Sequence, residues 1–279
     1  MLPIKAFQGE EHARFFWPGN ASGVAILVHG FPGTPAEMRP IAELLHAEGW
    51  TVEGVLLPGF GSDIESLPKR HWPEWAATVK HAVITHRRTG QPLMLVGHSM
   101  GGALALTVAA HTPIHALLLT APFSTLDNAL FTMLPVLRVI FPEVKPFRLF
   151  NLDFNNPEVR AGIRNFMPDV DLDDPETQAA IREYRLPLAL FDQIRQVGKA
   201  GQRAASRIKA PTLILQGSED ELVRPASTRR LVSSFGGPVQ YVEMPGEHNI
   251  NLPESLSWAQ VTETVRAFAR KVLAERAAR

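Results

Sequence analysis

The chain has 279 residues, of which 45% are hydrophobic, and its 28 basic and 28 acidic residues give a formal net charge of zero. This length is sufficient to bury one large core, and the balanced charge argues against nucleic acid as a partner. Because the sequence contains no cysteine, disulfides, a thiol nucleophile and cysteine-bound metals are excluded.

Hydropathy predicts a protein without a membrane span. No apolar run in the sequence reaches the length of about 18 residues that a membrane-spanning helix needs. The first residues also lack an apolar stretch long enough for a secretory signal. We therefore expect a cytoplasmic location.

Strands alternate with helices along the first part of the chain. An antiparallel hairpin of residues 4–7 and 13–17 is predicted first, and strands at 24–28 and 50–56 follow. Between the latter two strands, Thr34-Pro35-Ala36-Glu37 has the pattern of a capping box with proline at the first helical position. A helix is therefore expected to begin here.

The same alternation continues with strands at 92–96 and 114–120 and with helices at 73–89, 102–110 and 255–278. The last helix carries an apolar stripe that is expected to pack on the sheet, formed by Trp258, Val261, Val265, Phe268 and Val272. The pattern predicts an α/β fold, in which a doubly wound, mostly parallel sheet has helices on both faces.

The pentapeptide Gly97-His98-Ser99-Met100-Gly101 stands between a predicted strand and a predicted helix. This context is typical of the sharp turn that exposes a serine nucleophile above a sheet. The flanking glycines fit, because the turn is strained and the strand and helix approach each other closely. Ser99 is the predicted nucleophile.

A serine nucleophile needs a histidine to accept its proton and a carboxylate to orient that histidine. Asp220 follows the buried strand-like run that begins at Pro211, and Glu219 and Glu221 flank it as alternative acids. His248 lies in the loop after another strand-like run, residues 239–244. The carboxyl edge of a parallel sheet is where such groups are presented.

Acyl transfer also requires two backbone N–H groups that stabilise the developing oxyanion. One is expected from Met100, the residue after the nucleophile. The other is expected from Phe31, in the loop His29-Gly30-Phe31-Pro32-Gly33 that follows the strand at 24–28. His29 is expected to hold this loop by hydrogen bonds.

These motifs, together with Leu57-Pro58-Gly59-Phe60-Gly61, resemble those of the α/β-hydrolases, and within them the bacterial carboxylesterase and monoacylglycerol lipase group. The resemblance implies Ser99 as nucleophile, His248 as general base and Asp220 as the acid. It also implies that His98 points away from the site. Many relatives have a histidine at the position of Phe60, so the chain departs from the pattern there.

Residues 125–210 differ from the rest, because they are rich in proline and show helical periodicity only in short pieces. We interpret them as a helical cap inserted after the sixth main strand, over a core formed by residues 1–124 and 211–279. The acidic stretch 169–174 lacks the glycine and the distal glutamate of a calcium loop and is interpreted as a solvated cap loop.

Apolar residues recur at helical spacing near the start of the cap, at Leu126, Leu130, Leu134, Leu137 and Phe141. They are expected either to form the packed core of the cap or to line an apolar acyl-binding wall. For the wall, the substrate-binding candidates are Leu126, Leu130 and Leu134.

The sequence as a whole predicts a serine hydrolase that cleaves small acyl esters, of short to medium chain length or monoacylglycerols, through an acyl-enzyme. No cofactor and no metal are expected, because no phosphate-binding glycine loop or metal-binding motif is present. The same triad acting on a thioester, an amide or a carbon–carbon bond is an alternative. So is a ligand-binding receptor on a hydrolase scaffold, which tight binding without turnover would reveal.

Overall fold

A computed structural model describes residues 7, 9–20, 23–126, 129–145, 153–156, 159–160, 163–164, 170–183 and 185–277. The strands are β1 (Phe15–Trp17), β2 (Val24–Val28), β3 (Thr51–Val55), β4 (Leu93–His98), β5 (Ala116–Thr120), β6 (Glu143–Val144), β7 (Leu186–Pro187), β8 (Thr212–Gly217) and β9 (Val239–Met244). The α-helices are α1 (Arg39–Ala47), α2 (Trp72–Arg87), α3 (Met100–Ala109), α4 (Ala129–Ile140), α5 (Pro175–Arg182), α6 (Leu188–Ala204), α7 (Pro225–Val232) and α8 (Trp258–Ala277). Short 3₁₀ helices occur at Glu10–His12, Pro35–Met38, Gly61–Lys69 and Ala205–Arg207.

The main sheet has seven strands in the order β1-β3-β2-β4-β5-β8-β9. All neighbouring pairs are parallel except β1 with β3, which are antiparallel. The doubly wound, mostly parallel sheet expected from the sequence is therefore confirmed. The first half of the predicted opening hairpin, residues 4–7, lies outside the described residues except for Phe7.

Alternate side chains of the buried strands pack on opposite faces of the sheet, as a strand's period of two requires. In β2, for example, Ile26 joins a cluster with α2, α3 and α6, while Leu27 joins a cluster with α1 and α8. Four members of the predicted stripe on α8, from Val261 to Val272, are buried in the second cluster. The sheet is thus covered on both faces, and its loops at the carboxyl edge remain available for a site.

The insertion between β5 and β8 contains α4, α5, α6 and the two-stranded antiparallel pair of β6 and β7. It follows β5, which corresponds to the strand predicted at residues 114–120. That strand is the sixth when the predicted strand at residues 4–7 is counted, most of which lies outside the described residues. Helix α6 lies against α3, and glycine is required at this contact. A Cβ atom at Gly201 would lie 2.9 Å from the carbonyl oxygen of Ala103.

Within the described ranges, none of the helices combines the length and the apolar character needed to cross a bilayer.

Candidate active site

Ser99 occupies the sharp turn between β4, which ends at His98, and α3, which begins at Met100. Its backbone has φ of 49° and ψ of −118°, a left-handed φ that a residue with a side chain rarely adopts. Such strain persists only where the surrounding structure holds it, and it is typical of a nucleophile turn. The turn predicted from the sequence is therefore present.

The flanking glycines are required by the close approach of backbone on both sides of the turn. A Cβ atom at Gly97 would lie 2.5 Å from the carbonyl oxygen of Gly101. A Cβ atom at Gly101 would lie 2.2 Å from the carbonyl oxygen of Val28, on the neighbouring strand. Any side chain at these positions would push the strand and helix apart and displace Ser99.

Two backbone hydrogen bonds fix the strained residue to the segments beside it. The Ser99 N–H donates to the Thr120 carbonyl at 3.0 Å, and the Phe123 N–H donates to the Ser99 carbonyl at 3.0 Å. The end of β5 and the segment after it therefore bond both the N–H and the carbonyl of Ser99. These bonds explain how the strained backbone conformation of Ser99 is maintained.

Asp220 lies in the turn after β8 with only 2% of its surface exposed. Its Oδ1 atom accepts the Leu222 N–H at 2.9 Å and the Val223 N–H at 2.7 Å. Its Oδ2 atom is 2.8 Å from Nδ1 of His248. Glu219 and Glu221, the alternative acids, are exposed. The buried and oriented carboxyl is therefore that of Asp220.

Gln216 is a site residue that sequence reasoning missed. It is fully buried, and its amide donates to Oδ2 of Asp220 at 3.0 Å and to the Val223 carbonyl at 3.0 Å. Its own oxygen accepts the Thr228 hydroxyl at 2.6 Å. The signal that could have found it is a single amide residue within the otherwise apolar run of β8.

His248 lies in the loop after β9, close to Asp220. Because an ionised carboxylate only accepts hydrogen bonds, the contact with Asp220 places a proton on Nδ1 of His248. The Nε2 atom is then free of a proton and able to accept one from a nucleophile. This is the tautomer that a general base in a serine triad requires.

The resemblance implied that His98 points away from the site, but in the structure it does not. Its ring centroid lies 5.0 Å from that of His248, and its Nδ1 atom is 3.0 Å from the Thr120 hydroxyl. Burial and the neighbouring charge of His248 hold the pKa of His98 well below its usual range, so its ring is neutral. A neutral ring packs beside His248 without opposing a positive charge there.

The loop after β2 is held by His29, as expected. Its Nδ1 atom donates to the Gly30 carbonyl at 2.9 Å, and its Nε2 atom accepts the Leu57 N–H at 3.2 Å. Burial lowers the pKa of His29 to about 4, which keeps this neutral tautomer in place. Phe31 follows in the same loop, and its ring contacts Phe60 with centroids 6.2 Å apart.

Phe60 occupies the position at which many relatives have a histidine, and in the structure it contacts several other aromatic rings. It is fully buried, and its ring meets those of His29 at 4.9 Å and Trp75 at 5.6 Å. The residue thus supports the loop after β2 by packing.

Glu37 also belongs to the site, although the sequence assigned it to a capping box. Thr34 does cap the 3₁₀ helix, because its hydroxyl accepts the Ala36 N–H at 3.4 Å. The Glu37 carboxyl instead accepts the N–H of Gly30, in the loop that carries Phe31. The sequence pattern gave the correct helix start but the wrong partner for this carboxyl.

The candidate wall residues of the cap have different environments. Leu126 is half-buried and packs against the main core, and Leu134 on α4 is 6% exposed. Leu137 is half-buried, whereas Phe141 is 59% exposed and so is not part of a buried stripe. The side chain of Leu130 lies outside the described residues.

No cluster of three potential metal ligands occurs among the residues that the structure describes. In the acidic stretch, Asp173 pairs with Arg160 at 2.8 Å and Asp174 caps α5 through the N–H groups of Glu176 and Thr177. These carboxylates therefore have structural partners within the cap.

A strained serine turn, a buried acid and a histidine loop at one edge of a parallel sheet define an α/β-hydrolase. Residues 19–246 match the family described as serine aminopeptidase, S33. The chain belongs to this family.

Among the relatives, a thermostable monoacylglycerol lipase from Bacillus sp. (strain H-257) is 37% identical over 98 residues, which span 35% of this chain and 39% of that enzyme. A pyrethroid hydrolase from Sphingobium wenxiniae is 27% identical over 84% of this chain and 85% of its own length. The crystal structure of a monoacylglycerol lipase from Paleococcus ferrophilus superposes with a TM-score of 0.67 at 22% identity, covering 94% of this chain and 98% of that one. The expected resemblance to the α/β-hydrolases and their monoacylglycerol lipase group is confirmed.

Proposed function

We propose that the protein is a carboxylic ester hydrolase in which Ser99, His248 and Asp220 form the catalytic triad. The observation that carries this proposal is the contact of 2.8 Å between His248 and the buried Asp220, at the same edge of the sheet as the strained Ser99. A buried carboxylate that orients a histidine, together with a serine in a strained strand-to-helix turn, is the arrangement that acyl transfer uses.

In the proposed reaction, Oγ of Ser99 attacks the ester carbonyl while Nε2 of His248 accepts the hydroxyl proton. The tetrahedral intermediate then collapses, and the imidazolium gives its proton to the departing alcohol. Water attacks the acyl-enzyme next, again losing its proton to His248. The second collapse releases the carboxylic acid and returns the proton to Ser99.

The backbone N–H groups of Phe31 and Met100 are the proposed oxyanion donors. Met100 supports this role because it is the first residue of α3, and the first N–H groups of a helix have no partner within the helix. Phe31 follows Gly30. A Cβ atom added at Gly30 would lie 3.2 Å from Cβ of Ser99. The loop therefore runs directly beside the nucleophile.

Substrate class is proposed from the relatives and from the cap. The names of two relatives are monoacylglycerol lipase and pyrethroid hydrolase, which supports an ester substrate. Residues 125–210 are proposed as the cap, with Leu126, Leu130 and Leu134 in an acyl-binding wall. On α4, the Phe131 ring packs edge-on against Phe123 at 5.9 Å, and the Phe123 N–H donates to the Ser99 carbonyl.

A substrate panel tests the proposal. Nitrophenyl esters and glycerol monoesters of increasing acyl length are compared with a matched thioester and a matched anilide. We expect kcat/KM for the best ester to exceed that for the thioester and the anilide by at least about tenfold. A thioester or anilide that is cleaved faster overturns the ester assignment, and tight binding without turnover supports the receptor alternative.

A cytoplasmic location is likewise a proposal. Fractionation of cells that make the protein tests it, with an activity or antibody signal expected in the cytoplasmic fraction.

A further inference from the structure

Glu37 is a half-buried acidic residue that the triad does not use, and it lies between the two loops on which the proposed function depends. We infer that Glu37 is a positioning residue, which fixes the oxyanion loop through Gly30 and acts by its charge on His248. This inference rests on the proposed roles of His248 and of the Phe31 N–H.

The first link joins Glu37 to the oxyanion loop. Its Oε1 atom accepts the Gly30 N–H, and a Cβ atom at Gly30 would lie 3.2 Å from that oxygen. The bond occupies the donor of Gly30 and orients the His29–Gly30 peptide group, one before the peptide group that carries the Phe31 N–H. The neighbouring N–H of Phe31 is then the one that the loop presents to an oxyanion.

The loop is shaped to hold this carboxyl. A Cβ atom at Gly33 would lie 1.9 Å from Oε2 of Glu37, closer than any side chain tolerates. The glycines at 30 and 33 therefore leave room for the two oxygens of one carboxyl group. At Gly33 the nearest atoms all belong to Glu37, whereas at Gly30 Ser99 and His98 are about as close as the carboxyl.

The second link joins Glu37 to the histidine loop. The amide of Asn251, a fully buried residue three positions after His248, donates to the main-chain carbonyl of Glu37 at 2.8 Å. Residue 37 is thus bonded to both loops, through its carboxyl to the oxyanion loop and through its main-chain carbonyl to the histidine loop.

The electrostatics agree with this position. Although the Glu37 residue keeps some exposed surface, protein surrounds its carboxyl, and this burial raises the pKa of Glu37 to about 7. The Gly30 N–H and the charge of His248 oppose the rise. The Glu37 carboxyl is therefore close enough to His248 for the two groups to interact electrostatically.

Titratable or charged groups on the neighbouring described segments, or in contact with His248, include His12, His29, Arg39, His98 and Asp220. The pKa values of His29 and His98 are lowered by burial, so both rings are neutral near pH 7. Asp220 contacts the Nδ1 atom of His248.

On the remaining side, Arg39 donates to the carbonyls of Glu10 and Glu11, and His12 contacts the Thr34 hydroxyl at 2.8 Å. These groups are engaged with the backbone and side chains of the N-terminal segment. The charge that changes during the proposed reaction next to Glu37 is that of His248.

Two consequences follow when Glu37 is ionised. A charged acceptor makes a stronger hydrogen bond with the Gly30 N–H than a neutral one does. A negative charge near His248 also stabilises the positive charge that His248 gains in the proposed reaction. Protonation of Glu37 weakens both effects.

The substitution Glu37→Gln separates charge from geometry, because the amide keeps an oxygen for the Gly30 N–H. We expect kcat at about pH 8 to stay within about threefold of the parent, while the acidic limb of the kcat/KM profile moves at least about half a pH unit lower. The matched control is Glu43→Gln, which removes an exposed carboxylate from α1 and is expected to leave the profile unchanged.

The substitution Glu37→Ala removes the acceptor itself. We expect kcat to fall at least about tenfold with KM within about twofold, because an oxyanion donor acts mainly in the transition state. Glutamine at this position is expected to restore kcat. An acidic limb that does not move in Glu37→Gln overturns the inference, and so does a parental kcat in Glu37→Ala.

Labelling of Ser99 by a fluorophosphonate, followed by peptide mapping, is measured in the same samples. Absence of the Ser99 adduct in the parent refutes the proposed function itself. A Ser99 adduct together with unchanged pH profiles refutes only the role of Glu37.

Discussion

The Nδ1 atom of His248 lies 2.8 Å from Oδ2 of Asp220, although 28 residues separate the two along the chain. The contact follows from the register of two parallel neighbours, β8 and β9. Gly217, the last residue of β8, pairs with Met244, the last residue of β9. The strands end level, so the loops that carry the acid and the histidine begin side by side.

Asp220→Asn is expected to leave the fold intact and to lower kcat by about 10⁴-fold, because an amide in this position favours the wrong imidazole tautomer. Circular dichroism and steady-state kinetics on a nitrophenyl ester measure the two effects.

Glu219→Gln is the matched control, because its side chain is an exposed carboxylate next to Asp220. It is expected to keep kcat within about threefold of the parent. If Glu219→Gln is as damaging as Asp220→Asn, the acid of the triad has been assigned to the wrong residue.

Gln216→Met is expected to lower both stability and turnover, because it removes the amide that holds Asp220 and leaves the Thr228 hydroxyl and the Val223 carbonyl without this partner. Loss of buried hydrogen bonds of this kind costs about 2–4 kcal/mol in the free energy of unfolding. Urea unfolding measures this change, and kcat is expected to fall about tenfold.

The exposed Gln240→Met on β9 serves as the comparison and is expected to change the free energy of unfolding by less than about 0.5 kcal/mol. Equal stability of Gln216→Met and the parent would show that the hydrogen bonds of Gln216 do not contribute to the stability of the fold.

The sequence predicted the sheet and the positions of Ser99, Asp220 and His248 just beyond its strands, because these depend on local patterns. Apolar strand runs, the glycines around Ser99 and the position of His248 just beyond a strand are all visible in the printed chain. A parallel sheet then brings the ends of its strands to one edge without further information.

The direction of individual side chains depended on tertiary contacts that no local pattern contains. Glu37 fits a capping box by spacing, but Gly33 opens a space that its carboxyl occupies instead. His98 was expected to point away, yet the Thr120 hydroxyl on the neighbouring strand holds its ring beside His248. These errors involve polar groups whose partners lie on other elements.

Leu126→Ala is expected to shift the acyl preference toward longer chains, because the substitution opens volume in the proposed wall. Each additional buried methylene contributes at most about 0.8 kcal/mol, which corresponds to a few-fold change in kcat/KM per carbon. The ester series measured for the parent and the variant gives this dependence directly.

Met133→Ala on α4 is the matched control, because Met133 is 50% exposed. This substitution is expected to leave the acyl preference unchanged. A uniform fall of kcat/KM for all esters in Leu126→Ala would mean that this residue acts by packing alone.

Glu37→Gln is expected to gain stability over the parent as pH rises. The pKa of Glu37 is raised in the folded state from 4.5 to about 7, so its neutral form stabilises the fold below pH 4.5 and this contribution is lost as pH rises through about 7. Glutamine stays neutral throughout. The free energy of unfolding of the variant minus that of the parent is therefore expected to be about 1–3 kcal/mol larger above about pH 8 than at pH 4.5.

Thermal or urea unfolding at several pH values measures this gain, with Glu43→Gln as the comparison. A stability difference between Glu37→Gln and the parent that does not vary with pH would contradict the buried position of the Glu37 carboxyl.

The identity of the nucleophile is the central claim, and covalent labelling tests it most directly. A fluorophosphonate is expected to abolish ester hydrolysis and to leave one adduct, on Ser99, in the peptide map, while Ser99→Ala acquires none and loses at least about 10⁴-fold in kcat. An adduct on another residue that accompanies the loss of activity, or a Ser99→Ala variant that retains parental turnover, would contradict the account.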